Sequence, residues 1–165
     1  MKDVTIDLIS ISDVYTVSLI HKLCFIETYK NILDIDFLVD HKITQIEKYW
    51  RNKILSQDNE SYKFILENKF IGFISVGKSR NKDFGEFEIF SFYILQEFQN
   101  YGIGSYVFNK LMANKTNFYV EVISNNTNAC KFYEKQKGKK LTFCYETFGK
   151  QKVKNIIYKW SLPNP

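Results

Sequence analysis

Residues 86–95 form an unbroken run dominated by aromatic and β-branched side chains, the composition of a central strand covered on both faces. The run leads directly into Gln99, Asn100, Tyr101, Gly102, Ile103, Gly104 and Ser105, after which Tyr106, Val107, Leu111 and Met112 recur at helical spacing. A glycine-bearing segment therefore sits at a strand-to-helix junction. A helix start presents unpaired backbone N–H groups and the positive end of its dipole, which stabilise anionic phosphates. Gly102 and Gly104, without Cβ atoms, let a bulky pyrophosphate approach the backbone and adopt positive φ where the turn demands it. Gly-x-Gly after a strand is also ordinary turn chemistry, so its surroundings decide. A dinucleotide-binding fold would add a third glycine and an early βαβ unit, and a P-loop would carry Gly-Lys-Ser or Gly-Lys-Thr; neither is present.

The rest of the chain supplies the elements around this junction. Val4, Ile6 and Leu8 alternate with Thr5 and Asp7 as in a half-buried strand. Ser12 is placed to cap a helix carrying Val14, Val17, Ile20, Leu23 and Cys24, and Ile43, Ile46, Trp50 and Ile54 mark a second, with a loop over residues 29–36 between them. Residues 61–67 and 70–76 read as a hairpin joined at Asn68-Lys69. A strand over residues 118–123 and a helix over 126–136 follow, and residues 141–148 and 153–162 flank Gly149-Lys150 as a closing hairpin. No repeat, low-complexity tract or linker interrupts the sequence.

With 165 residues, 45% of them apolar, residues 1–165 are read as one compact domain. No stretch approaches the roughly 18 apolar residues of a membrane span, and the start lacks an apolar run behind a basic segment. No membrane partner is expected, and the setting is read as cytoplasmic. Cys24, Cys130 and Cys144 are scattered without CxxC spacing, which suggests neither a disulfide framework nor a metal site. The formal charge of +5 is unevenly spread: residues 1–60 hold ten acidic against seven basic side chains, residues 131–165 nine lysines against two glutamates. Nine lysines without arginine read as a solvated surface, and no nucleic-acid partner is expected.

Gln99, Gly102 and Gly104 match a pattern of Gln or Arg, two residues, Gly, one residue, then Gly or Ala. In this the chain resembles the GCN5-related N-acetyltransferase (GNAT) superfamily. The resemblance extends to Asn126, Ala129 and Tyr133, which fall in the register of a second family pattern, and the order of elements is similar over essentially the whole chain. Gln96 stands where many members carry proline, and Lys139 follows Gly138 where an aromatic is usual. The resemblance implies an α/β fold of α+β character: a mixed, mostly antiparallel sheet of about seven strands, with splayed central strands, flanked by about four helices. It implies acetyl-CoA as co-substrate, with no metal. Phe92, Tyr93 and Ile94 would pair with the pantetheine mainly through backbone groups, residues 99–105 would hold the pyrophosphate, and Asn126 would lie near the pantetheine. Many relatives pair into homodimers.

Acetylating an amine with a thioester requires a neutral nucleophile, whereas a lysine-like amine, with a pKa of about 10.4, is almost wholly protonated at neutral pH. Glu88 stands on the central strand at the register where some members place a base carboxylate, with Glu86 and Glu121 as rivals, a water relay as another route, and an ordinary sheet acid as the alternative. Tyr133 is the expected proton donor to the departing thiolate; packing of its helix on the core is the other use of a tyrosine at that spacing. Neither Cys130 nor Cys144 has a recognisable His partner, so no covalent intermediate is expected, and His21 and His41 read as surface histidines. Glu27, Asp34, Asp36 and Asp40 cluster around the loop that holds Tyr29, and Glu27, Asp34 and Tyr29 are expected to receive the acceptor. Helix capping would account for the same acids. The expected acceptor is a small cationic amine such as a polyamine or an aminoglycoside-like compound. Acetylation of a protein N-terminus or lysine, and non-catalytic sensing of acyl-CoA, are the alternatives.

Overall fold

The computed structural model describes residues 4–56 and 58–161; Leu162, expected to end the last strand, lies outside them. The elements are β1 (Thr5–Leu8), α1 (Val14–Tyr29), α2 (Ile35–Asp40), α3 (Ile43–Leu55), β2 (Asn59–Leu66), β3 (Lys69–Lys78), β4 (Phe87–Ile94), α4 (Ile103–Met112), β5 (Phe118–Ile123), α5 (Thr127–Lys135), β6 (Lys139–Phe148) and β7 (Gln151–Trp160). The seven strands form one sheet in the order β1-β2-β3-β4-β5-β7-β6. Only β4 and β5 run parallel; the other neighbours are antiparallel. Among the described residues no helix is long and apolar enough to cross a membrane.

Alternation along the strands divides the core between the two faces of the sheet. On one face, α4 and α5 pack Val107, Phe108, Met112 and Tyr133 against Phe64, Ile71, Phe118 and Val120. On the other, α1 and α3 bring Val14, Val17, Ile46 and Trp50 onto Phe73, and a third cluster joins Leu33 and Leu38 to Ile123 and Val153. β4 serves both faces: Phe92 and Ile94 join the first cluster and Tyr93 packs on the second.

Several details depart from the sequence reading. Among the described residues there are five α-helices against the expected about four, because residues 35–40 coil into the short α2, whose Leu38 is fully buried. Six residues are too few to show a helical period. Ser12 does not cap α1; a 3₁₀ turn over Ile11–Asp13 leads into it, and the Asp13 carboxylate accepts from both the N–H and the hydroxyl of Ser10. The β2–β3 turn falls one residue earlier, on Glu67 and Asn68, both at positive φ as a two-residue hairpin turn requires. The closing hairpin is present, with β7 inserted between β5 and β6.

The pairing of β4 creates the opening that matters most. β4 and β5 are matched only at Phe87↔Phe118, Glu88↔Tyr119 and Ile89↔Val120. On the other side of β4, Val76 pairs with Ile89 but Ser75 with Ser91, so Phe90 is an extra, bulged residue. A bulge bends and twists its strand locally. Pairing with β5 stops where the bulge begins, and the two central strands diverge from there.

Candidate active site

At the far end of the diverging strand, a 3₁₀ turn over Gln96–Phe98 carries β4 into α4. The Gln99 amide folds back and donates to the Ile94 carbonyl at 2.8 Å, which closes the turn. Asn100 has φ of 65°, and Tyr101 is 73% exposed. Gly102 caps α4 with φ of 80° and ψ of −3°, a left-handed conformation costly to any residue with a Cβ. The first helical bond runs from the Tyr106 N–H to the Gly102 carbonyl, so the N–H groups of Ile103, Gly104 and Ser105 have no partner within the helix. A Cβ on Gly102 would meet nothing within 4 Å, whereas one on Gly104 would lie 3.3 Å from the Phe132 ring. Gly102 thus opens the helix start to a ligand, and Gly104 lets α4 lie close to α5. Ser105 is fixed by Gln136, which donates to its hydroxyl at 2.8 Å. This turn, with open space and free N–H groups, fits a pyrophosphate.

The opening between β4 and β5 gathers three tyrosines. The Tyr29 hydroxyl, at the end of α1, meets those of Tyr93 on β4 and the side chain of Asn126. Asn126 also caps α5, its Oδ1 accepting from the Ala129 N–H at 3.2 Å. Tyr133 lies on α5 with its ring among Phe108, Phe132, Tyr158 and Trp160, near enough to Tyr29 and Tyr93 for mutual electrostatic influence. Burial raises the pKa of all three phenols, so each stays protonated through the neutral range. Four of the residues singled out from the sequence, Tyr29, Tyr93, Asn126 and Tyr133, are therefore brought together.

The acidic residues are distributed differently. Glu27 lines a depression of about 400 Å³ with Leu23, Leu95, Gln96 and Glu97. Asp34 is exposed at the start of α2, its N–H donating to Gln151 Oε1 at 3.0 Å. Glu88 is 1% exposed on β4. Its carboxylate accepts from Arg80 Nε at 3.0 Å, from Arg80 Nη2, from the Arg80 N–H at 3.2 Å and from the Tyr119 hydroxyl at 2.8 Å. That carboxylate raises the Arg80 pKa further above its ordinary value. Nothing in the sequence pointed to Arg80 as its partner, eight residues earlier across a loop.

The histidine expectation changes as well. His21 is enclosed by the rings of Phe25, Tyr49, Trp50, Phe73 and Tyr93, and its Nδ1 accepts from Trp50 Nε1 at 3.2 Å. Burial, with a smaller contribution from His41, lowers its pKa to about 4. It is a half-buried, neutral group packed among aromatic rings, not an exposed one.

Three further polar side chains share the face on which Glu88 lies: Glu121 on β5, Asn155 on β7 and Glu146 on β6. Each interrupts an apolar alternation, as in Tyr119-x-Glu121-x-Ile123 and Val153-x-Asn155-x-Ile157, and this interruption is the sequence signal for them. From the sequence Glu121 reads only as a rival to Glu88, and neither Asn155 nor Glu146 stands out.

Comparison with known proteins agrees with this architecture. The family model described as "Acetyltransferase (GNAT) family" matches residues 26–138, about two thirds of the chain. Among solved structures, the chain is similar to a PaiA N-acetyltransferase from Thermoplasma acidophilum in complex with coenzyme A, with 20% identity, TM-score 0.73 and coverage of 96% of this chain and 99% of that one. An N-acetyltransferase from Staphylococcus aureus is 14% identical with TM-score 0.74, covering 98% and 100%. Arabidopsis thaliana NAA60 in complex with acetyl-CoA is 14% identical with TM-score 0.71, covering 97% and 99%. At these identities the structural likenesses speak for the fold alone. No curated protein sequence matches the chain. The family match over residues 26–138 carries the assignment: the chain belongs to the GNAT acetyltransferase family.

Proposed function

We propose that this enzyme transfers the acetyl group of acetyl-CoA to the primary amine of a small cationic compound, by direct attack in a ternary complex and in a cytoplasmic setting. The observation that carries the reading is the divergence of β4 from β5, with a glycine-capped helix start at one end and Tyr133 in the opening. Past Ile89 the β5-facing side of β4 has no strand partner, and buried backbone groups need one. The backbone of Phe92, Tyr93 and Ile94 is suited to pair there with the pantetheine amides. The segment Gln99, Asn100, Tyr101, Gly102, Ile103, Gly104 and Ser105 is suited to the pyrophosphate. Coenzyme A in the Thermoplasma relative and acetyl-CoA in NAA60 support the same assignment.

In this reading Tyr133 donates its proton to the departing thiolate, a role favoured by the burial that keeps the phenol protonated. Direct attack is favoured because two of the thiols are held protonated: burial, with Glu27 nearby, pushes Cys24 up to about 12, and burial with Glu121 raises Cys144 as well. Glu27 and Asp34 remain part of the acidic surround of the acceptor side, with Tyr29 reaching the tyrosine group. The base is a separate question, because the lone pairs of Glu88 are already taken by Arg80 and Tyr119.

The test is free-thiol release from acetyl-CoA with polyamines, aminoglycosides, amino acids and short peptides, with Tyr133→Phe beside wild type. Tyr133→Phe should lower kcat about 100-fold while acetyl-CoA affinity, measured by calorimetry, stays within about twofold. Wild-type turnover that survives the substitution would remove Tyr133 from the mechanism, and failure to bind acetyl-CoA would remove the reading.

A further inference from the structure

A strip of polar side chains crosses four neighbouring strands on the face shared with α1 and α2: Glu88 on β4, Glu121 on β5, Asn155 on β7 and Glu146 on β6. Placing the buried members, Glu88 and Asn155, in a sheet face otherwise lined by Ile123, Val153 and Ile157 is costly unless each is partnered or used. Glu88 is fully partnered by Arg80 and Tyr119. The rest of the strip is not. Glu121 is only 4.0 Å from Arg80 Nη2 and 3.9 Å from the Cys144 thiol, both weak contacts. Asn155 is 2% exposed; its Nδ2 donates to Glu146 Oε2 at 3.0 Å and also faces Glu121. That orientation leaves Asn155 Oδ1 as a buried acceptor with no hydrogen-bond partner among the described residues. Buried acceptors are rarely left so.

The position is as informative as the chemistry. Ile89↔Val120 is the last pair joining β4 to β5, so Glu121 is the first residue of β5 inside the opening, beside the Phe90 bulge. Arg80 is held by Glu88, and Lys53 of α3 lies over the Phe90 ring, so both cations stand at the Glu88 end of the strip. The surplus negative charge falls on Glu121 and Glu146, and Tyr29 is close to Glu146. A carboxylate, a second carboxylate and a free amide oxygen together match the donors of an ammonium group, which offers three N–H bonds and one positive charge.

We propose that Glu121, Glu146 and Asn155 Oδ1 form the subsite for the acceptor's ammonium group and that Glu121 is the base that takes its proton. The proposal rests on the acetyl-transfer reading above. The ammonium gives one proton to the Glu121 carboxylate, and the freed lone pair forms the C–N bond to the thioester carbonyl carbon. The carbonyl π electrons move to oxygen and return as the C–S bond breaks. The sulfur takes the Tyr133 proton, and the proton still surplus on nitrogen returns to the Tyr133 oxygen. Glu121, whose side chain is 23% exposed, releases its proton to solvent, so one proton leaves per turnover. Burial, with the charges of Glu88 and Glu146, raises the proton affinity of Glu121 against the opposing effect of Arg80 and of the facing Asn155 amide, as suits a base.

The experiment uses the full chain, with spermidine, tyramine and kanamycin as amine probes and calorimetric titration of acetyl-CoA as an independent readout. For the probe that wild type acetylates best, Glu121→Gln should lower kcat/KM about 100-fold at pH 7 and abolish the acid limb of the pH profile. Its residual rate should instead climb with pH as free amine accumulates in solution. Glu146→Gln, at an exposed position, should raise KM about tenfold with a much smaller effect on kcat. Both variants should keep acetyl-CoA affinity within about twofold of wild type. A Glu121→Gln profile that overlays the wild type, or a loss of acetyl-CoA affinity as large as the loss of kcat/KM, overturns the proposal. Wild type that binds acetyl-CoA but acetylates none of the probes overturns the ammonium subsite while the cofactor assignment stands. Wild type that does not bind acetyl-CoA overturns the reading beneath it.

Discussion

His21 links side-chain burial to the pH at which the fold holds. Its imidazole is neutral among five aromatic rings, accepts from Trp50 Nε1, and has its pKa lowered from 6.5 to about 4 by burial. In the unfolded chain it takes up a proton near its ordinary value, so protonation favours the unfolded state between the two values. The contribution to stability is therefore complete above about pH 6.5, declines as the pH falls toward 4, and levels off below. A shift of this size corresponds to about 3 kcal/mol. His21→Gln keeps an acceptor for Trp50 but does not titrate. In urea unfolding from pH 4 to 7, wild type should lose about 3 kcal/mol relative to that variant; parallel curves would show that His21 is not the titrating group. Glu88 is decided at the same scale. A carboxylate on a central strand reads as an available base until Arg80 and Tyr119 are seen to hold it, and both partners come from outside its local sequence window.

The β4–α4 junction shows what a local element discloses. Its strand composition, its glycines and the helical spacing after it all lie within 27 residues, and every one of those signals reappears in the structure. Gly102 is the sharpest case. An alanine there would be strained by φ of 80°, at about 1–2 kcal/mol, but would meet no neighbour within 4 Å. Gly102→Ala should therefore lower stability by about 1–2 kcal/mol in urea unfolding, while acetyl-CoA affinity should fall more than tenfold because the methyl group enters the space left for the ligand. A variant with reduced stability and unchanged affinity would mean that the open space does not serve the cofactor. By contrast, α2 is too short to display a period, and the insertion of β7 between β5 and β6 depends on pairing between segments far apart in sequence. The polar strip was hidden for the same reason. Glu121, Asn155 and Glu146 become neighbours only once that insertion is made, and until then each looks like an isolated interruption of an apolar strand.

For the whole molecule, the divergence of β4 and β5 raises the question of whether the two halves of the sheet unfold together, since among the described residues only three residue pairs match β4 with β5. The core argues that they do. One apolar cluster spans the opening, joining Phe64, Ile71 and Ile89 of the first half to Phe118, Val120 and Tyr158 of the second through Val107 and Phe108 of α4. We therefore propose that the described residues behave as one domain. The chain's two tryptophans report on opposite faces of the sheet. Trp50 is fully buried against Phe73, whereas Trp160 stacks on Phe118 at 4.8 Å and donates to the Gln136 carbonyl at 2.7 Å. Trp50→Phe and Trp160→Phe each leave one reporter, and in each variant the fluorescence transition in urea should coincide with loss of far-ultraviolet circular dichroism. Coenzyme A seated in the opening would hold both halves at once. At 100 times its Kd it should stabilise each variant by about 2.7 kcal/mol and move both reporters equally. Separate midpoints, or a shift confined to the Trp160 signal, would mean that the β5–β7–β6 half unfolds on its own and that the α4 cluster does not bridge the opening.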